Sequence, residues 1–151
     1  MTLDRTDAVA LARLMEEGRV SWAELAKALR LSPAAAAQRV RRLEKAGVIR
    51  GYGALVDPEA VGRPLTAFVG IVLSSHAARR RFLARIRGLA AVQECHHVTG
   101  EFDYLLKVRC AGTRDLEQII NEMLKTKGGV ASSRTLIVLS TAKETTRLPV
   151  P

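Results

Sequence analysis

Four cationic side chains, Arg39, Arg41, Arg42 and Lys45, lie within seven residues of one another, with only Glu44 to oppose them. A guanidinium carries its N–H donors in a rigid planar fork, so it clamps a phosphate or pairs with the O6/N7 edge of a guanine. Lys45 adds a compact charge suited to phosphate. This is the chemistry of binding a polyanion rather than of breaking bonds. The run Cys95-His96-His97 has metal-ligand residue types. Successive strand residues point to opposite faces, however, so the three do not converge on one ion and no metal site is expected. His76, His96 and His97 have no nucleophile set beside them, and the chain has neither a phosphate loop nor a carboxylate pair. It reads as a non-enzyme without a cofactor.

The elements that must position the arginines come before residue 50, where the apolar spacing is helical; after it the spacing is β-like. A first helix is expected over Arg5–Glu17, capped by Asp4 or Thr6, with Val9, Leu11, Ala12, Leu14 and Met15 as its buried stripe. A second opens on Ser21 with Glu24 three residues on, a capping box, and turns Trp22, Leu25, Ala26 and Leu29 inward. After a short turn at Arg30 and Leu31, Ser32 caps a third helix with Pro33 at its first position, and Gly47 ends it. Two short helices, a tight turn and an arginine-rich second helix form the helix-turn-helix pattern. The surface expected to meet double-stranded DNA is Ser32, Pro33, Ala34, Gln38, Arg39, Arg41, Arg42 and Lys45.

The remainder reads as strand, helix, strand, strand, helix, strand. Leu65–Leu73 is almost continuously apolar; Ala77–Arg87 is a helix burying Phe82, Leu83 and Ile86; Val92–Thr99 and Tyr104–Cys110 make a hairpin around Gly100–Asp103. Thr113 is expected to cap the next helix, and Val130–Ser140 to close the set. The fold class is therefore α+β. A winged-type, three-helix domain occupies residues 1–50, a connecting strand or linker 51–63, and a βαββαβ ferredoxin-like domain 64–151. Both helices of such a domain cover one face of the sheet, and strands apolar on both sides call for a symmetric partner on the other. Cys95 and Cys110 would lie diagonally on the hairpin, which disfavours a disulfide.

Bulk properties agree with this division. Of 151 residues, 48% are hydrophobic, and 24 basic against 15 acidic side chains give a net charge of +9, which favours polyanionic partners. With no apolar run of membrane length and a charged first segment, the chain is expected to be cytoplasmic and nucleoid-associated, with no membrane partner. Residues 1–63 hold 11 basic and 8 acidic groups, and residues 64–151 hold 13 and 7, so the second domain is the more basic. Arg79, Arg80, Arg81, Arg85 and Arg87 crowd its first helix, as a solvated face or as a grip on DNA.

The blocks Leu3-Asp4-Arg5-Thr6-Asp7, Leu31-Ser32-Pro33, Arg39-Val40-Arg41-Arg42-Leu43-Glu44, Val98-Thr99-Gly100-Glu101-Phe102-Asp103-Tyr104 and Lys143-Glu144-Thr145 occur in an order and spacing that resembles the Lrp/AsnC family of transcriptional regulators. The resemblance implies a sequence-specific regulator whose homodimer assembles further, to tetramers or octamers. It also implies an amino-acid effector held at Thr99, Gly100, Glu101, Phe102, Asp103 and Tyr104, with Ser132, Ser133, Arg134 and Thr135 of the last strand. Asp103 would meet the α-ammonium, and backbone N–H groups the carboxylate. The loop departs from the family's Gly-Asp-Tyr-Asp at Glu101 and Phe102, and Arg30 stands where glycine usually ends the second helix. Ala34 to Ala37 replace hydroxyl residues, which throws weight onto arginines and DNA deformability. An architectural nucleoid protein without an effector is the alternative reading.

Overall fold

The computed structural model describes residues 2–125 and 129–150. Its elements are α1 (Arg5–Glu16), α2 (Trp22–Leu29), α3 (Pro33–Lys45), β1 (Leu65–Leu73), α4 (Arg79–Arg87), β2 (Val92–His97), β3 (Tyr104–Cys110), α5 (Thr113–Leu124) and β4 (Val130–Ile137). A 3₁₀ turn, His76–Ala78, leads into α4, so only the later part of the expected Ala77–Arg87 helix is α-helical. Two compact units result, one of residues 2–55 with 143–150, the other Val56–Ala142.

The second unit thus ends before the expected 151. Beyond β4 the chain has no ladder to join, and its last stretch belongs with the helices instead, where the Leu148 N–H donates to Met15 Sδ at 3.4 Å. Of the connecting strand or linker expected over 51–63 no strand forms; Asp57–Arg63 is a turn, with the Arg63 N–H bonded to the Pro58 carbonyl at 2.7 Å. A single extended segment without a neighbour has no partner for its backbone groups.

In the first unit, local chemistry sets every helix start. Asp4 and Asp7 cap α1 reciprocally, Ser21 and Glu24 do the same for α2, and the Ser32 hydroxyl accepts from the Ala35 N–H at 3.2 Å while Pro33 takes the first position of α3. The three helices enclose Ala10, Leu25, Ala26, Leu29, Ala36 and Val40. Three expected core residues are outside, Ala12 among them. Val9 is 41% exposed because, at 100° per residue, it lies opposite Leu11 and Leu14. Trp22 is 46% exposed because it is the first residue of α2, and helical side chains lean toward the N-terminus, away from the helix contact.

The ends of α2 and α3 close in the same way. At α3 the Gly47 N–H bonds to the Glu44 carbonyl and the Val48 N–H to Leu43; at α2 the Arg30 N–H bonds to Lys27 and the Leu31 N–H to Ala26. This paired closure needs a left-handed residue. Gly47 takes φ +71° freely, whereas Arg30 is forced to φ 55°, ψ 44°.

The second unit is the ferredoxin-like arrangement, with antiparallel strands in the order β2-β3-β1-β4. Ala67, Val69 and Ile71 of β1 and Tyr104, Leu106, Val108 and Cys110 of β3 pack with Phe82 and Ile86 of α4 and Leu116 and Met123 of α5. The opposite face carries Phe68 and Leu105, half-buried, and Leu136, 57% exposed. Cys95 pairs with Leu106 and Cys110 with Leu65, so the thiols sit farther apart along β3 than the diagonal expected, and both are free. Thr113 does not cap α5; it is the first helical residue, and Asp115 Oδ2 instead accepts from the Ala111 N–H at 2.9 Å and from Arg63 at 2.8 Å.

Arg30→Gly removes the left-handed strain from an exposed position whose side chain makes no contact that holds the fold. It should raise the stability of the helical unit by about 1 kcal/mol, read as a higher midpoint in thermal denaturation.

Candidate functional site

On α3 the buried residues Ala36, Val40 and Leu43 define the inward stripe. At 100° per residue the opposite stripe is Ala34, Gln38, Arg41 and Lys45, and all four are exposed. Together with Ser32 and Pro33 at the helix N-terminus they make a continuous outer face with two cations and no acid. Glu44 lies on one side of this stripe, where it accepts from the Tyr52 hydroxyl at 2.8 Å.

Arg39 and Arg42 fall on the other side of α3, and both are engaged within the domain. Arg39 Nη1 donates to Asp4 at 2.8 and 2.7 Å and to Asp7 Oδ1 at 2.6 Å. Arg42 Nη2 donates to both oxygens of Asp7 at 2.9 Å. The side chain of Asp7 is fully buried and that of Arg39 only 22% exposed, whereas Arg42 keeps 53% of its surface. Arg39, expected as a DNA contact, is here largely buried and bonded to two carboxylates, joining α3 to the start of α1. Arg42 is shared, holding Asp7 with one nitrogen while the rest of its fork stays accessible.

The same two carboxylates cap α1. Asp4 Oδ1 accepts from the Asp7 N–H at 2.7 Å, and Asp7 Oδ2 from the Asp4 N–H at 3.2 Å. Burial by itself would raise the pKa of Asp7. The Arg39 hydrogen bond, the Asp4 N–H, the Arg42 hydrogen bond and the charge of Arg39 outweigh it and hold Asp7 below the ordinary aspartate value. Asp4 is lowered chiefly by its hydrogen bond to Arg39, and Arg39 is raised in turn by Asp4 and then Asp7. Asp4 was expected only as a cap, and Asp7 had no expected role. The signal was the equal three-residue spacing of the two acids and of Arg39 and Arg42, one turn on each helix.

In the second unit, the hairpin loop is tied to the end of β1. The Asp103 N–H donates to the Ile71 carbonyl at 2.9 Å, and Asp103 Oδ2 accepts from the Leu73 N–H at 2.6 Å, just past the Ile71–Tyr104 pair that ends the β1–β3 ladder. Phe102 lies over Gly70 so closely that a β-carbon there would come within 2.7 Å of the ring. Across Gly70 on β4 is Arg134, which pairs with Glu101 at 3.2 Å and stands over the Phe102 ring at 5.9 Å. Gly100, at φ +116°, turns the chain.

Glu101, Phe102, Asp103 and Arg134 are therefore brought together, with Thr99 and Gly100 leading in. Ser132 shares the open face with Arg134. Ser133 and Thr135 alternate to the helix side, paired with Ile71 and Val69. Tyr104 also belongs to that side: it is buried against Phe82 and His97, and its hydroxyl lacks a partner among the described residues. As a side chain it is part of the core, on the face opposite the loop residues with which it was expected to hold the effector.

A helix-turn-helix with a cationic outer stripe, followed by a ferredoxin-like domain with a built loop, defines a two-domain DNA-binding regulator. A model of winged helix-turn-helix DNA-binding domains matches residues 3–50, and a model of the Lrp/AsnC ligand binding domain matches residues 66–148. The leucine-responsive regulatory protein of Salmonella typhimurium is 40% identical over 150 residues, covering 98% of this chain and 92% of that protein. A transcriptional regulator from Neisseria meningitidis, solved in complex with L-methionine, superposes with a TM-score of 0.93 at 36% identity, covering 98% of this chain and 97% of the other. The feast or famine regulatory protein of M. tuberculosis, also complexed with L-methionine, gives 0.91 at 37%, covering 99% and 100%. The chain belongs to the Lrp/AsnC family and is a transcriptional regulator. Among the described residues no helix is long and apolar enough to cross a membrane.

Removing Asp7 leaves the largely buried Arg39 with Asp4 alone and takes the carboxylate from Arg42, so Asp7→Ala should destabilise the helical unit by on the order of 3 kcal/mol, measured by thermal or urea denaturation. Since the native pKa values of Asp4 and Asp7 are depressed, their contribution is present in full above the ordinary value of 3.8 and is lost as pH falls through the native values. The acid side of the stability–pH curve should accordingly be shallower in Asp7→Ala than in the unaltered chain.

Proposed function

We propose that the chain is a homodimeric, amino-acid-responsive regulator that reads duplex DNA with the outer stripe of α3 and senses its effector at the 99–104 loop. On this reading Ser32, Pro33 and Ala34 set the entry of α3 into the major groove, Gln38 and Arg41 face base edges, and Lys45 and the free part of Arg42 meet phosphate. The observation that carries the reading is the division of labour on α3: the arginines that hold the helix are separate from the cations left outside.

The open face of the sheet supports a two-fold partner. Phe68, Leu105 and Leu136 lie there without cover from either helix of the domain, and two helix-turn-helix units related by a dyad suit half-sites one turn apart. For the effector, an α-amino acid needs an anion for its ammonium and a donor for its carboxylate. Glu101 and Arg134 supply both signs, and because each is more than 60% exposed, their mutual pair is weak enough to be exchanged for the ligand's own charges. Asp103 keeps its loop in place through Oδ2, which leaves Oδ1 as a further acceptor for the ammonium. L-methionine, bound by two of the solved relatives, and leucine, from which the Salmonella typhimurium relative takes its name, are the first effectors to test.

A thermal-shift screen of the twenty amino acids should show stabilisation by one or a few, and the shift should vanish in Glu101→Ala/Arg134→Ala; a flat response throughout favours the effector-free architectural reading. For DNA, Arg41→Ala/Lys45→Ala should lower gel-shift affinity for the chain's own upstream region at least tenfold with the oligomer intact, as judged by sedimentation. Unaltered affinity would remove the stripe from the interface.

A further inference from the structure

α4 defies the electrostatics that ordinarily stabilise a helix. Five of its nine residues are arginine and none is acidic. Arg79, Arg80 and Arg81 occupy the first turn, where the helix dipole repels positive charge, and Ala78 provides no side-chain cap. Arg81 and Arg85 repeat like charge at a four-residue spacing, which is again unfavourable.

The fold sorts these arginines. Phe82 and Ile86 are buried, and Arg79 turns inward with its guanidinium 6.0 Å from the centre of the Tyr104 ring. At 100° per residue, Arg80 and Arg87 then lie on one flank of the outer surface and Arg81 and Arg85 on the other, with the small Ala84 along the crest between them. Arg85 is paired with Glu122 of α5. Arg80, Arg81 and Arg87 are exposed, and none has an ion-pair partner among the described residues. From Arg80 to Arg87 the helix rises about 10 Å, the axial length of about three successive phosphates on one DNA strand.

From this placement we infer a second DNA contact: the outer surface of α4 binds the phosphate backbone of duplex DNA, without reading bases, through Arg80, Arg81 and Arg87. A strand of phosphates complements all three charges at once, and it explains why arginine is kept in a helical turn where it opposes the dipole. The contact adds to that of α3 on the same molecule and rests on the reading of the chain as a DNA-binding regulator.

The test compares the full-length chain with Arg80→Gln/Arg81→Gln/Arg87→Gln, the corresponding triple lysine variant, and Arg41→Ala/Lys45→Ala. Binding to a fluorescent 200-bp duplex of random sequence is followed by anisotropy across a KCl series. Each lost phosphate contact lowers the slope of log affinity against log salt by about 0.9, so the glutamine variant should lose about 2 to 3 from the slope and at least tenfold in affinity. The lysine variant, which keeps the charge, should retain most of both. The glutamine variant should also melt no lower than the unaltered chain, because it relieves repulsion at the helix start. An unchanged slope, as expected if the surface is merely solvated or meets an acidic protein, overturns the inference. So does a lower melting temperature, which would make the arginines structural. If the unaltered chain binds no duplex, the regulator reading itself fails; a slope that falls only in the α3 variant leaves that reading standing and removes α4 alone.

Discussion

The buried carboxylate of Asp7 is the interaction on which the DNA-binding unit depends. A charge without solvent must be compensated, and here it is met by Arg39, Arg42 and the Asp4 N–H. The compensation couples three features that would otherwise be independent: the start of α1, the rotation of α3 about its axis, and the distribution of charge on α3. With Ala36, Val40 and Leu43 buried and Arg39 drawn to α1, Arg41 and Lys45 are turned outward. A buried ion pair of this kind contributes little net stability over an apolar contact, but it penalises other packings in which either charge is left alone.

The second unit relies on a comparable device made of backbone. The β1–β3 ladder ends at Ile71 and Tyr104, and Asp103 takes up the Leu73 N–H beyond it. The absence of a side chain at Gly70 admits the Phe102 ring. Together these fasten the loop to the sheet's open face beside Arg134. The loop is a surface turn by position, yet it is held like an element of the core, and a preorganised loop loses less conformational freedom when a ligand binds.

Much of this was legible from local sequence. Ser21 with Glu24 and Ser32 with Pro33 act over one turn, so helix starts follow from nearest neighbours; the period change near residue 50 and the βαββαβ order follow from apolar spacing. The left-handed Arg30 was also foreseeable from the closing turn it occupies. What was not legible depends on chain segments far apart. Arg39 looks like any other cation of its run until Asp4 and Asp7, over thirty residues away, are brought against it. Asp103 looks like a ligand group until the end of the β1–β3 ladder leaves Leu73 in need of an acceptor. Tyr104 ends a motif whose earlier residues face outward, but strand alternation sends it into the core. Trp22, Val9 and Ala12 were misplaced for a simpler reason, since apolar character does not say which side of a short helix meets its neighbours.

One set of charges thus holds α3 in place, and on the proposed function another set meets DNA. The most direct measurement is a crystal structure of the chain bound to a duplex that it recognises. It should show Arg39 still bonded to Asp4 and Asp7, with Gln38, Arg41 and Lys45 facing the groove and its phosphates. Arg39 released from both carboxylates and bonded to a base or a phosphate would contradict it.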